Sequence, residues 1–345
     1  MGNFLMYFLF VLGIIFIVKG GDWFVDGAVW AAEVTGIPKF IVGATVVSIA
    51  TTLPEIIVST IAAVEGHKIL VSRVGDYIAA SQDKVGMAIG NGIGSVICNT
   101  AMILAVSIIF LPIPIERKSF APKAILLLTA VTVLFLFSLS GSLSLIGASA
   151  LILVFAVYIY ENIRSAKSDV TQSDSERPEV NKKSVIDNIL RIVVGAAGIV
   201  VGSQLLVNNG SRIAAFFGVS EAVIGVTIVA VGTSLPELVT AITAIVKKQS
   251  SMSVGNVIGA NVIDTTLILA VCSFVYGGKL PVSAQNIYLD FPVAIIVSLI
   301  AVVPTVIRRK FSRVQGVVML AVYILYLVIV VGGLGSYLSF FGVSA

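Results

Sequence analysis

Two stretches of this chain are versions of one another. Residues 43–55 read GATVVSIATTLPE, and residues 225–237 read GVTIVAVGTSLPE. The offset of 182 holds without a gap back to Gly20 and Gly202, so that Val25 meets Val207 and Gly36 meets Gly218. A second pair follows at an offset of 165: GNGIGSVICNT at 90–100 and GNVIGANVIDT at 255–265. The first half therefore carries 17 extra residues between its two motifs, in the polar stretch 65–84. Any fold for this chain has to place two copies of one unit.

The solvent for those copies is a bilayer. Of 345 residues, 58% are hydrophobic and 12% charged, with a mean hydropathy of +1.08. A water-soluble domain carries roughly twice that share of charge. Hydropathy marks ten spans, at about 3–32, 38–64, 84–111, 120–139, 142–163, 185–216, 221–246, 252–276, 288–307 and 314–337. Each is long enough for the ~20 residues that cross a bilayer as helix, and no room remains for a large soluble domain. The start, MGNFLMYFLF, has no basic segment before its apolar run, so it reads as a first span rather than a cleaved signal. Cys98 and Cys272 lie in apolar runs and read as buried thiols without a disulfide.

Ten spans divide as five and five around the polar segment 165–183, which reads as a flexible linker. The expected organisation is one repeat over 1–164, the linker, and a second repeat over 184–345. Five is odd, so the second repeat enters the membrane in the opposite sense to the first. The predicted fold class is an all-α integral membrane protein of ten helices in two inverted five-helix repeats. Such repeats are a mark of transporters, whose substrate site lies near the midplane. Lys and Arg set the orientation. With the N-terminus outside, sixteen fall in inside loops and five (Lys68, Arg73, Lys84, Arg212 and Lys279) in outside loops, while Lys19 lies within the first span. Cytoplasmic loops carry the excess of Lys and Arg, so the expectation is a cell-membrane protein with both termini extracellular and 165–183 cytoplasmic. The same reading takes the pI near 9.0 as a sign of loop charge, not of nucleic-acid binding.

Acidic groups at membrane depth are costly and usually functional. Glu55, Glu237 and Asp264 lie inside the repeated motifs, and Asn99 is the counterpart of Asp264. Glu55 and Glu237 are counterparts of each other, which is expected to set them face to face at the centre. Each follows a proline. Pro54 removes the helical partner of the Ala50 carbonyl, and Pro236 that of Gly232. A helix broken near the midplane in each repeat is expected, and its freed carbonyls are hard oxygen ligands. Hydroxyls stand alongside: Thr51, Thr52, Thr233 and Ser234, with Thr51 and Thr233 each four residues before a glutamate and so able to share its face. The second motif adds Ser95 and Asn99. Carboxylate, hydroxyl, amide and carbonyl oxygens suit Ca²⁺ and Na⁺ and disfavour zinc or copper.

Other groups have plainer readings. Gly86, Gly90, Gly94, Gly255 and Gly259 are spaced for close helix packing. Asp22, Asp26 and Asp290 are read as helix caps or interface contacts, with a place at the cation entrance as the alternative. The single histidine, His67, lies in a polar segment and excludes clustered-histidine metal sites.

ATTLPE, GTSLPE, GNGIGSVICN and GNVIGANVID resemble the two alpha-repeats of the cation/calcium antiporter superfamily, in particular the prokaryotic Na⁺/Ca²⁺ exchangers. The resemblance covers essentially the whole chain. It implies a central Ca²⁺ site held by Glu55 and Glu237. It implies Na⁺ sites drawn from Thr51, Thr52, Ser95, Asn99, Thr233, Ser234, Asp264 and the carbonyls of Ser48 and Ala230. It further implies exchange of about three Na⁺ for one Ca²⁺ by alternating access, with Ca²⁺ expelled. The transported ions and the lipid are then the partners; no cofactor, enzyme activity or nucleic acid is implied. Two positions depart from the pattern: Thr52 replaces serine and keeps the hydroxyl, whereas Ala260 replaces serine and loses it. The short central segment leaves no space for regulatory domains.

Three rival readings remain. A proton-coupled or K⁺-dependent antiporter would share the fold, but proton-coupled relatives carry a G-N-x-x-E core that is absent here. A channel usually draws its pore from oligomeric symmetry, whereas this repeat closes a site within one chain, which is expected to work as a monomer. An intramembrane aspartyl protease would need two deep aspartates, and only Asp264 qualifies.

Overall fold

Particular local residues mark several of the helix ends in this chain. Gly36 takes a φ of +72° at the end of the first helix, and Pro38 starts the second. Asn181 caps the sixth helix by accepting from the Ser184 N–H at 2.8 Å. Ser312 and Gln315 form a capping box before the last. The computed structural model of the chain describes residues 2–110, 113–170, 181–217, 232 and 234–342. We number the helices α1 (Gly2–Thr35), α2 (Lys39–Ser72), α3 (Tyr77–Phe110), α4 (Arg117–Ser138) and α5 (Leu145–Val170). Then come α6 (Lys182–Phe216), α7 (Leu235–Val246), α8 (Ser250–Tyr276), α9 (Asn286–Arg308) and α10 (Arg313–Phe340).

Among the described residues, nine of these are long and apolar enough to cross a bilayer, and α7 is shorter. The seventh span was expected over 221–246, and most of its first half lies outside the described residues. So does most of the 165–183 linker; its ends are helical, because α5 runs to Val170 and α6 begins at Lys182.

Two expectations need correcting. The stretch 65–84 is not a loop. The helices α2 and α3 run through it and leave only residues 73–76 outside helix. Lys and Glu are good helix formers in water, so polarity there marks the membrane boundary and not a helix end. Gly66 lets the two helices cross closely, Ser81 Oγ donates to Gly66 O at 2.7 Å, and Lys84 pairs with Glu65 at 2.9 Å. Second, α2 is not broken at Pro54. It passes through the proline and takes up a π-helical turn upstream, at Gly43–Val47. A proline removes one hydrogen bond, and a membrane helix accommodates that loss by local adjustment. The all-α class holds, with one short strand pairing beside the helices. Ser142–Ser144 (β1) and Lys279–Pro281 (β2) pair as a short antiparallel ribbon, with Leu143 opposite Leu280.

The helices pack as two compact units: Met1–Thr51 with Asn162–Gly259, and Thr52–Glu161 with Ala260–Ala345. Each unit takes segments from both sequence repeats. In the first, α1 and α6 lie antiparallel and touch backbone to backbone. A Cβ on Gly20 would stand 2.8 Å from Gly195 O, and one on Gly202 the same distance from Gly13 O. In lipid such close packing, and not the hydrophobic effect, holds helices together. Phe24, Val25 and Ala28 of α1 meet Ile199, Ala244 and Met252 in the core beneath. In the second unit, α3 packs on α8, α9 and α10, and α4 on α9. Gly316 brings α10 within 2.7 Å of Ala105 O, measured from an added Cβ.

Candidate functional site

In the first unit, Ser48 and Thr51 stand on α2, Ser234 and Glu237 at the start of α7, and Asn256 on α8. All but the asparagine were expected ligands. Pro236 occupies the first turn of α7, where its missing N–H costs nothing, and Glu237 follows in the same turn. Thr51 Oγ1 donates to Asn256 Oδ1 and to Ser48 O, both at 3.3 Å. Asn256 Nδ2 donates to Thr240 Oγ1 at 2.9 Å, and Thr240 donates to the carbonyls of Pro236 and Glu237 at 2.9 and 3.0 Å. Asn256 thus ties the first-motif threonine to the helix that carries Glu237. The approach is possible because α8 presents glycines: Gly255 fits against Phe40 O, and a Cβ on Gly259 would stand 2.5 Å from Ser48 Oγ.

In the second unit, Thr52 and Glu55 stand on α2, Ser95 and Asn99 on α3, and Asp264 on α8. Asn91, the repeat counterpart of Asn256, donates to Ser59 Oγ at 2.9 Å and to Glu55 O at 3.4 Å. Asn261 donates to Thr100 Oγ1 at 2.7 Å and so joins α8 to α3. Gly92 lets the same helices close in, since its Cβ would meet Asp264 O at 3.3 Å.

Both helices change pitch at the site. A π-helical turn begins at Asn99 and runs to Leu104, and another begins at Asp264 and runs to Ile268. Asn99 and Asp264 are the counterpart pair of the second motif. Turns of this kind shift the hydrogen-bond ladder by a residue and occur frequently at functional sites.

Every expected ligand within the described residues is buried, none more than 4% exposed. These are Ser48, Thr51, Thr52, Glu55, Ser95, Asn99, Ser234, Glu237 and Asp264. Thr233 and Ala230 lie outside the described residues. Ser95 Oγ, Asn99 Oδ1 and Ser234 Oγ are fully buried and make no hydrogen bond among the described residues; a buried polar atom left this way costs free energy. Among the described residues no three His, Cys, Asp or Glu side chains form a metal-binding group. Asp22 and Asp26 are interface contacts, both pairing with Lys247. Asp290 accepts from Asn286, Gln285 and Tyr326. Cys98 and Cys272 are buried thiols outside any disulfide.

Sequence reasoning missed the asparagines Asn91, Asn256 and Asn261 as groups that fix the site. The repeated Gly-Asn pair was the available signal for the first two.

Comparison with known proteins follows the same outline. Residues 5–164 and 188–332 match the profile described as sodium/calcium exchanger protein. An uncharacterized membrane protein of Methanocaldococcus jannaschii is 33% identical over 319 residues, 92% of this chain and 95% of that one. The sodium/calcium exchanger MaX1 of Methanosarcina acetivorans is 28% identical, over 94% of this chain and 97% of its own. Among solved structures, the sodium-calcium exchanger NCX_Mj, soaked with Na⁺ and Sr²⁺, superposes with a TM-score of 0.77 at 32% identity. It covers 94% of this chain and 98% of its own.

Proposed function

Because the chain belongs to the sodium/calcium exchanger family, we propose that it exchanges about three Na⁺ for one Ca²⁺ by alternating access and expels Ca²⁺ from the cell. It is a multi-pass membrane protein and a cation/Ca²⁺ antiporter, a transporter in kind and not an enzyme. The observation that carries the finer reading is the burial of Glu55, Glu237 and Asp264, each 1% exposed, inside apolar helices.

In this proposal Glu55 and Glu237 ligate Ca²⁺, and they also take part in binding Na⁺. Thr51, Thr52, Ser95, Asn99, Thr233, Ser234, Asp264 and the carbonyls of Ser48 and Ala230 complete the Na⁺ sites. Hard oxygens replace the hydration shell that each ion gives up on entry. Charge then couples the two ions. Three Na⁺ balance the three carboxylates, and one Ca²⁺ balances Glu55 and Glu237 once Asp264 has taken up a proton. Either load neutralises the site, whereas the empty site leaves buried charges uncompensated at a cost of several kcal/mol per ion. An empty carrier therefore does not reorient, and each ion crosses only in exchange for the other. Asn91 and Asn256 position the glutamate helices without touching the ions. One chain carries the full ligand set and works as a monomer.

Uptake of ⁴⁵Ca²⁺ into proteoliposomes tests this. Na⁺-loaded vesicles are expected to take up Ca²⁺ without K⁺ and without a pH gradient. Uptake driven by a pH gradient alone, or only with K⁺, overturns the Na⁺/Ca²⁺ assignment. Orientation is tested separately. Within the second unit, segments with the same predicted side meet: β1 with β2 and His67 Nδ1 with Tyr276 O outside, Ile115 N with Arg309 O inside. These contacts support the alternation of spans. With both termini extracellular, Ser173→Cys is expected to resist a membrane-impermeant thiol reagent on intact cells. Strong labelling there reverses the proposed orientation.

A further inference from the structure

The lipid-facing side of the α1–α6 pair holds an apolar groove of about 390 Å³. Its floor is where the two backbones meet, at Gly20 and Gly198, and its walls are Phe16 and Trp23 of α1 with Val194 and Val201 of α6. Phe16 is 38% exposed, Trp23 45%, Val194 47% and Val201 44%. These side chains belong to one packing unit and face away from its core.

One cation lines this otherwise apolar wall. Lys19 lies in the groove, is exposed, and makes no ion pair among the described residues. A lysine on the lipid side of a span is costly unless its ammonium reaches the headgroups. Its position along α1 allows that. Residues 4–18 carry no charge, whereas Asp22, Asp26 and Glu33 follow within four turns, so Lys19 marks the end of the apolar run, short of the boundary near 32 expected from hydropathy. The acids nearest to it do not neutralise it, because Asp22 and Asp26 are engaged by Lys247 at 3.4 and 2.7 Å. A second cation, Arg191, is exposed on α6 three residues before Val194 and so on the same face. Because α1 and α6 are antiparallel, Trp23, Lys19 and Val194 share the charged end, and Phe16 and Val201 share the apolar end.

We propose that this groove binds one anionic phospholipid of the surrounding bilayer. Its phosphate lies against Lys19 and Arg191, and one acyl chain runs over Gly20 and Gly198 towards Val201. Trp23 supplies the interfacial aromatic that suits headgroup depth. The charge pattern selects an anionic over a zwitterionic headgroup; each cation near the surface contributes about a fivefold preference. The site lies outside the ion-binding motifs.

Native mass spectrometry of the full-length purified protein tests this, with phosphatidylglycerol, phosphatidylcholine and oleate as probes. Wild type is expected to retain one phosphatidylglycerol about fivefold or more in preference to phosphatidylcholine. Lys19→Met, an apolar change on a lipid-facing position, lowers that preference about fivefold and leaves the share of Arg191. Ala197→Phe fills the groove from its exposed rim and lowers retention of both phospholipids. Equal retention of the two phospholipids by wild type overturns the proposal, as does an unchanged preference in Lys19→Met. Oleate bound as tightly as phosphatidylglycerol makes the occupant a free fatty acid and overturns it. A lipid-free dimer that Ala197→Phe dissociates assigns the groove to a second copy of the chain, with the same consequence.

Discussion

Glu55 lies sixteen residues inside a helix that begins at Lys39, whereas Glu237 stands in the first turn of the helix Leu235–Val246. The sequence motif around them is nearly the same, yet the local fields differ. A carboxylate in a first turn faces the positive end of the helix dipole and unpaired N–H groups; one in mid-helix does not. Their supports differ as well. Asn91 reaches the Glu55 carbonyl directly, whereas Asn256 reaches the Glu237 carbonyl through Thr240. Sequence symmetry has preserved the two carboxylates and has left open how each is held.

The largest effect expected is on transport. Glu55→Gln and Glu237→Gln each remove one of two charges proposed for Ca²⁺ while keeping the shape, and each is expected to lower ⁴⁵Ca²⁺ exchange by roughly a hundredfold or more. Near wild-type exchange by either variant would show that the two glutamates are not equivalent in function. Next come the counterparts at the second motif. Asp264→Asn makes that position match Asn99, so Ca²⁺ binding by isothermal titration should survive while Na⁺-driven exchange falls. Loss of Ca²⁺ affinity equal to that of the glutamate variants would make Asp264 a Ca²⁺ ligand.

A smaller effect separates the asparagines. Asn91→Ala and Asn256→Ala each leave buried partners unsatisfied, at about 1–3 kcal/mol. Both should melt earlier, but Asn91→Ala should weaken Ca²⁺ binding more, since it alone touches a glutamate carbonyl directly. Equal losses would mean that Thr240 transmits the contact in full. The smallest effect concerns the dipole. In cation-free buffer, Glu55→Gln should stabilise the protein more than Glu237→Gln, by about 0.3–1 kcal/mol. The reverse order in thermal melts would remove the helix terminus as the source of the difference.

How much of this was legible in advance depends on which physics wrote it. The spans were legible because burying an apolar run in lipid is a one-dimensional property of the chain. The carboxylates were legible because charge within such a run stands out against it. The stretch 65–84 misled because hydropathy reports the solvent and not the backbone; a helix that leaves the membrane keeps its hydrogen bonds. Pro54 misled in the opposite way, since one lost bond was taken for a break that α2 absorbs. The pairings of Asn91, Asn256 and Asn261 join residues far apart in sequence, and no local pattern encodes them. The π turns at Asn99 and Asp264 were invisible for another reason: their spacing is that of any helix, and only the hydrogen-bond ladder separates the two forms.

Those two turns also carry a date. A turn closed by bonds to the fifth residue holds one residue more than the α-turn it replaces. Both turns start at counterpart positions, Asn99 and Asp264, at the same offset of 165 that aligns their motifs without a gap. Two independent insertions would have had to strike the same position of two separate helices. A single insertion in one ancestral copy of the motif, before that motif was doubled, accounts for both. The helix distortion is then as old as the motif itself, and doubling the motif doubled the distortion.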